Sequence, residues 1–196
     1  RFQAKEVEPE LLDRIVAMAS SAPMGVPPWD VGVTILNGPT QVQELAAQIV
    51  RGYEKFLKLF RPWVLALLRP FIGKTAFEQF RSFILPLGRV YVESRRHGRD
   101  VLFYDAPAVL IFHHSPYADA VDAAIACTCA MLAAESLGLG NTMIGGAPPI
   151  IQRDRILCRR LGIPEGNKPA MCLIVGYPAV TLRRAVRRSF TGVLKL

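Results

Sequence analysis

The sequence predicts an α+β fold in which a central mixed sheet is flanked by helices. Two runs, "AVLIFHH" (108–114) and "AMCLIVGYP" (170–178), have the length and unbroken apolar character of strands buried on both faces. A third stretch, Asp119 to Leu137, is apolar around most of its circumference. Val121, Ala124, Ile125, Thr128, Met131 and Leu132 are joined there by alanines and cysteines, as suits a helix at the centre of a protein. At 196 residues and 51% hydrophobic, the chain is read as one folded domain. A mean hydropathy of +0.26 is high for a lone monomer, so a second copy, a cofactor or a missing segment is expected to cover some apolar surface.

The remaining elements follow in chain order. Pro9 suits a first helical turn, and Leu11, Leu12, Ile15, Val16 and Ala19 recur at helical spacing up to Ser20. "SAPMGVPPWD" cannot be helical and makes a stiff loop before the strand "VGVTIL", Val31 to Leu36. Thr40 is read as the cap of a long helix running towards Phe60. From Arg61 to Arg96 the helical pattern is interrupted at Pro62, Pro70, Gly73 and Pro86, which predicts short helices inserted beside a pocket. Gly138 ends the central helix in the left-handed position, "NTMIG" forms a short strand, and "GGAPP" turns the chain. One amphipathic helix from Ile150 to Leu161 leads to the last long strand, and "TGVLKL" is read as an edge strand, of this sheet or of a neighbouring subunit's.

Several function classes are excluded or disfavoured by the residues. "SLGLGNTMIGG" holds Gly138 and Gly140 at the first spacing of a dinucleotide fingerprint, but Met143 occupies the third position and a helix precedes it. The net charge of +8 comes from scattered residues, except for Arg183, Arg184, Arg187 and Arg188, and no basic stripe interleaves with aromatics; nucleic acid is not expected as a partner. That arginine cluster suits a phosphate monoester instead. "FLKLFRPWVLALLRPFIG" carries Lys58, Arg61 and Arg69 and two prolines, which argues against a membrane span and makes membrane contact the lesser reading.

Cys127, Cys129, Cys158 and Cys172 form no C-x-x-C pair and read as buried thiols of a reducing cytoplasm, with no metal site. His113 and His114 point to opposite faces of a strand, and His97 lies in a polar loop. Asp119 and Asp122 stand at a helix start, where capping accounts for them. Ser21 lacks the elbow and the His–Asp pair of a hydrolase nucleophile.

Taken together, the "RFQAKEVEPELLDRIVAMASSAP" opening, "DAPAVLIFHH", "VDAAIACTCAMLAAESLGLGNTMIGG", "LGIPEGNKPAMCLIVGYP" and the arginines beyond resemble the FMN-dependent nitroreductase family along nearly the whole chain. The form S-A-P-M-G-x-P-P is similar to members carrying an N-terminal ferredoxin-like iron–sulfur domain. Met24 stands where other members have a second Ser, and no Asn precedes Pro28 and Trp29. The resemblance implies a nitroreductase-like fold, a homodimer with swapped terminal segments, and FMN in a cleft between protomers. It implies that Ser21, Pro23, Met24 and Gly25 line the flavin ring, that Gly145 and Gly146 approach its N5 edge, and that Arg1, Arg187 and Arg188 hold the phosphate. NAD(P)H or an iron–sulfur partner would then supply electrons to a nitroaromatic, quinone or similar acceptor, with no catalytic residue assigned. An iron–sulfur cluster is expected only upstream of Arg1, where the chain, opening without Met, is read as truncated. A non-catalytic flavin-binding or dimeric interaction module, using Arg61 to Arg96 as its contact surface, is the alternative.

Overall fold

The structure, a computed structural model, describes residues 2–181 and 187–194. Four strands, β1 (Val31–Asn37), β2 (Ala108–His114), β3 (Gly140–Ile144) and β4 (Lys168–Gly176), form one sheet in the order β1-β2-β4-β3. All three pairings are antiparallel, where a mixed sheet was expected. The reason is topological. Helix α5 (Ala120–Ser136) carries the chain from β2 to β3, which run in the same direction, and β4 then inserts between them, so that each meets an antiparallel neighbour.

Strand alternation divides the interior into two cores. Ala108, Leu110 and Phe112 of β2, with Leu173 and Val175 of β4, pack against α1 (Pro9–Ser20) and α5. Val109 and Ile111, with Cys172 and Ile174, face the opposite layer of α2 (Pro39–Leu59) and α4 (Leu85–Arg96). Burying each of these larger side chains is worth about 1.5–3 kcal/mol, so both faces must stay covered. Gly138 adopts the expected left-handed conformation, φ 78°, after α5.

Three local readings are corrected. Thr40 lies inside α2, whose cap is Gly38 with Pro39 at the first position, because proline's missing N–H costs nothing there. Residues 150–161 form two short helices, α6 (Pro148–Ile151) and α7 (Arg155–Arg160). Asp154 separates them by accepting the Ile156 and Leu157 amides at 3.1 and 3.0 Å. The segment expected as short helices holds: α3 (Pro62–Gln79) is two helical pieces joined across a kink at Gly73, followed by a π-helical turn (Phe80–Ile84) and α4. Pro70 is tolerated inside α3, while Pro62 and Pro86 fall in first turns. Finally, Thr191–Leu194 form no strand within this chain, and Lys195 and Leu196 lie outside the described residues.

A third, smaller core holds this segment in place. Phe56 of α2, Leu65 of α3 and Leu85 of α4 are buried together, and Phe60 and Phe80 pack against them with ring centres 5.7 Å apart.

Candidate functional site

The chain leaves β3 at Ile144 and enters Gly145–Gly146, which border a cavity of about 510 Å³. Its walls include Tyr53, Tyr91, Phe80, Phe83 and Arg153. Glycine at 146 is a packing requirement, since a Cβ there would lie 2.8 Å from the Tyr91 hydroxyl and 3.4 Å from that of Tyr53. The Tyr53 hydroxyl donates to the Gly146 carbonyl at 2.7 Å, and the two rings are 5.2 Å apart. Burial pushes the Tyr53 phenol up to about 12 and raises that of Tyr91, so both stay protonated and act as props for the backbone. Gly145 differs: it is exposed, and a Cβ there would touch nothing within 4 Å. Its backbone edge can therefore be approached closely by a planar group lying in the cavity.

The loop after α1 is fixed by internal bonds. Ser21 Oγ donates to the Met18 carbonyl at 2.8 Å, and the Met24 amide donates to the Ala22 carbonyl at 2.8 Å. The Gly25 amide donates to Oδ1 of Asp122 at 2.9 Å, so this N–H is already committed. Pro23 is exposed and Met24 is half-buried against the α1/α5 core.

Asp122 belongs to a capping box. Asp119 accepts the Val121 and Asp122 amides, and Asp122 accepts the Asp119 amide at 3.2 Å. The i,i+3 spacing announced the cap, but nothing in the sequence announced the bond to Gly25.

The topology groups some site residues and separates others. The end of β2, the start of α5, the start of β1 and the end of β3 all lie towards the start of β4, because His114 pairs with Lys168 and Ile144 with Cys172. The Ser21–Gly25 loop thus lies at that end of the sheet, while Gly145 follows Ile144, which pairs with Cys172 at the middle of β4. They do not share a face or an edge: Ala22 and Met24 pack with α1 and α5, whereas Gly146 contacts tyrosines of the α2/α4 layer. β1 and β3, the strands that these loops adjoin, are opposite edges, three strand spacings or about 14 Å apart. Arg187 and Arg188 are exposed and follow β4, whose last residue pairs with Gly140 at the other end of the sheet. Phe2 bridges Pro178 there, while Arg1, like Arg183 and Arg184, lies outside the described residues.

The other candidates are structural. His113 is buried, bonded to Asn167 at 3.0 Å, and held below its ordinary pKa by burial and then by neighbouring His114. His114 Nδ1 is 2.9 Å from the Ser115 carbonyl, and His97 is exposed. All four cysteines are free, and burial raises the thiol of Cys127 to about 12 and that of Cys172 further. Among the described residues no cluster of three or more His, Cys, Asp or Glu could hold a metal.

Solved structures share this architecture. A nitroreductase with bound FMN from Bacteroides fragilis is 19% identical, with 98% of this chain and 90% of that one covered and a TM-score of 0.68. A nitroreductase with bound FMN from Desulfitobacterium hafniense is 24% identical at the same coverage, with a TM-score of 0.66. An FMN-dependent nitroreductase from Clostridium difficile is 16% identical over 98% of this chain and 91% of its own, with a TM-score of 0.64. No curated protein matches. Residues 1–177 match the nitroreductase family, and the chain therefore belongs to it.

Proposed function

We propose that the protein is an FMN-dependent oxidoreductase that works as a homodimer and passes electrons from NAD(P)H, or from an iron–sulfur partner, to a nitroaromatic, quinone or similar acceptor. The observation that carries the reading is Gly145, an open glycine at the tip of an edge strand, bordering a cavity walled by aromatic rings. A flat heterocycle fits such a wall, and the absence of a Cβ lets it reach the backbone. When bound, FMN supplies the ring that accepts and releases electrons. The residues of this chain position it: Tyr53 and Tyr91 hold the Gly145–Gly146 backbone in place, and the aromatic walls exclude water from the space above it.

Arg187 and Arg188, with Arg1, are the proposed phosphate ligands. The Phe2–Pro178 bridge supports this by bringing the chain next to Arg1 and the chain leading to Arg187 together beside the start of β3, the edge that ends at Gly145. Ser21, Pro23, Met24 and Gly25 are proposed to meet the ring from the partner protomer, because within one chain they lie on the other face of the sheet.

The test is FMN uptake by the purified chain, followed by its visible absorbance band and by bleaching of that band on addition of NADH, NADPH or dithionite. Uptake that is lost in Arg187→Ala/Arg188→Ala supports the assignment. A chain that takes up no FMN at saturating concentration refutes it.

A further inference from the structure

Helix α3 is apolar on two sides. Leu65 and Ile72 face the small core with Phe56 and Leu85. Trp63, Leu67 and Phe71, at i, i+4 and i+8, form a stripe on the outside and are 66, 67 and 83% exposed. Leu59 and Phe83, on the elements flanking α3, are also exposed. A helix with apolar residues on its outer side calls for something to cover them.

The charges around this stripe indicate what. Between residues 55 and 90 the chain carries Lys55, Lys58, Arg61, Arg69, Lys74, Arg81 and Arg89 against a single acid, Glu78, which is paired with Arg81 at 3.0 Å. We infer that the outer face of α3 docks on an anionic membrane surface, with Trp63, Leu67 and Phe71 in the headgroup boundary and the flanking cations on lipid phosphates. This pattern of Trp, Phe and Leu beside Lys and Arg is that of a helix lying in the interface plane. Among the described residues no helix is long and apolar enough to cross a membrane, so the contact is peripheral.

A second copy of the chain is the competing occupant, and charge disfavours it. A two-fold axis through this stripe would set it against its own copy and bring these cations together. The α1/α5 side, across the sheet, exposes Met18, Val121 and Leu132 and offers a less basic surface for self-association. The sequence alone leaves membrane contact as the lesser reading; the exposure of Trp63, Leu67 and Phe71 together on α3 brings it forward. Phe83 also lines the cavity at Gly145, so docking sets the cavity mouth near the lipid and favours an apolar acceptor drawn from the bilayer. That consequence rests on the flavin reading, whereas the docking does not.

The test is flotation of the full chain with vesicles of phosphatidylcholine containing phosphatidylglycerol, against phosphatidylcholine alone. In a Trp29→Phe background, Trp63 fluorescence should shift to the blue with the anionic vesicles only. Binding should fall about tenfold or more in Trp63→Ser/Leu67→Ser/Phe71→Ser and at high salt, with circular dichroism unchanged. Should the triple variant misfold, Arg69→Glu/Lys74→Glu must weaken binding instead. The inference fails if the wild-type chain does not float with anionic vesicles, if it binds neutral ones equally, or if the triple substitution dissociates an oligomer without affecting lipid. FMN absorbance, measured separately, reports on the cofactor whatever the vesicles show.

Discussion

Replacing Asp122 by Ala tests how the Ser21–Gly25 loop is held. The carboxylate is only 8% exposed and accepts two backbone amides, Gly25 at 2.9 Å and Asp119 at 3.2 Å. A hydrogen bond to a charged group contributes about 1.5–3 kcal/mol. Gly25 is exposed and its amide can return to water, so the lower figure applies, and losing both bonds should cost about 3 kcal/mol. For a chain of 196 residues the unfolding entropy is about 0.4 kcal/mol/K, which turns that loss into a melting temperature lower by about 7 °C. Asp122→Asn keeps one acceptor facing Gly25 but turns an amine towards the Asp119 N–H, and should lose about half as much. Thermal unfolding by circular dichroism measures both, and limited proteolysis between residues 21 and 30 should accelerate in the Ala variant. A melting point within about 1 °C of wild type for Asp122→Ala would refute the tether.

Gly146→Ala drives a methyl against the Tyr91 hydroxyl and should destabilise by about 1–3 kcal/mol; Tyr91→Phe removes that oxygen and should restore part of the loss, which a double-mutant cycle by denaturant unfolding will show. His113 gives a pH signature whose sign follows from its lowered folded pKa. Above the unfolded value of 6.5 the ring is neutral in both states. As pH falls below it the unfolded chain takes the proton first, so stability declines until the depressed folded value is reached and then levels. His113→Gln, which can still accept from Asn167, should remove that step from a stability-versus-pH series. Cys127 and Cys172 should resist thiol reagents at neutral pH until the protein unfolds, as read by mass spectrometry; rapid labelling of either in the native state would contradict their burial.

The elements visible in the sequence are those whose cause is local or periodic. α1 begins at Pro9 and ends at Ser20 as its spacing indicates, β2 and β4 occupy the continuous apolar runs, and the left-handed glycine stops the chain just past α5. What stayed hidden depends on partners far along the chain. The order β2–α5–β3 reads as a crossover between neighbouring strands, and only the later insertion of β4, from residue 168, makes every pairing antiparallel. The break at Asp154 competed with a helical pattern that continued through it, and the cap prevailed because its carboxylate satisfies two amides. At the candidate site, Gly145 and Gly146 look alike in sequence. Only the tyrosines from α2 and α4 distinguish a glycine needed for packing from one left open.

The separation of the proposed ring contacts leads to one further prediction. Gly145 follows the β3 edge and Gly146 meets tyrosines of the α2/α4 face, while Ser21–Gly25 attaches to α5 on the other face. In the proposed homodimer, one flavin site takes its Gly145 edge from one chain and its Ser21–Gly25 loop from the other, each chain lending its loop to its partner. Take a variant defective in the arginines, Arg187→Ala/Arg188→Ala, and a second with bulk in the loop, Gly25→Trp, each expected to lose FMN uptake. After unfolding and refolding together, about half the dimers should be hybrids, each with one intact site and one doubly defective, so roughly a quarter of all sites should bind FMN. Uptake that stays at the level of the separate variants, with hybrids verified by mass spectrometry, would mean that each site is built within one chain.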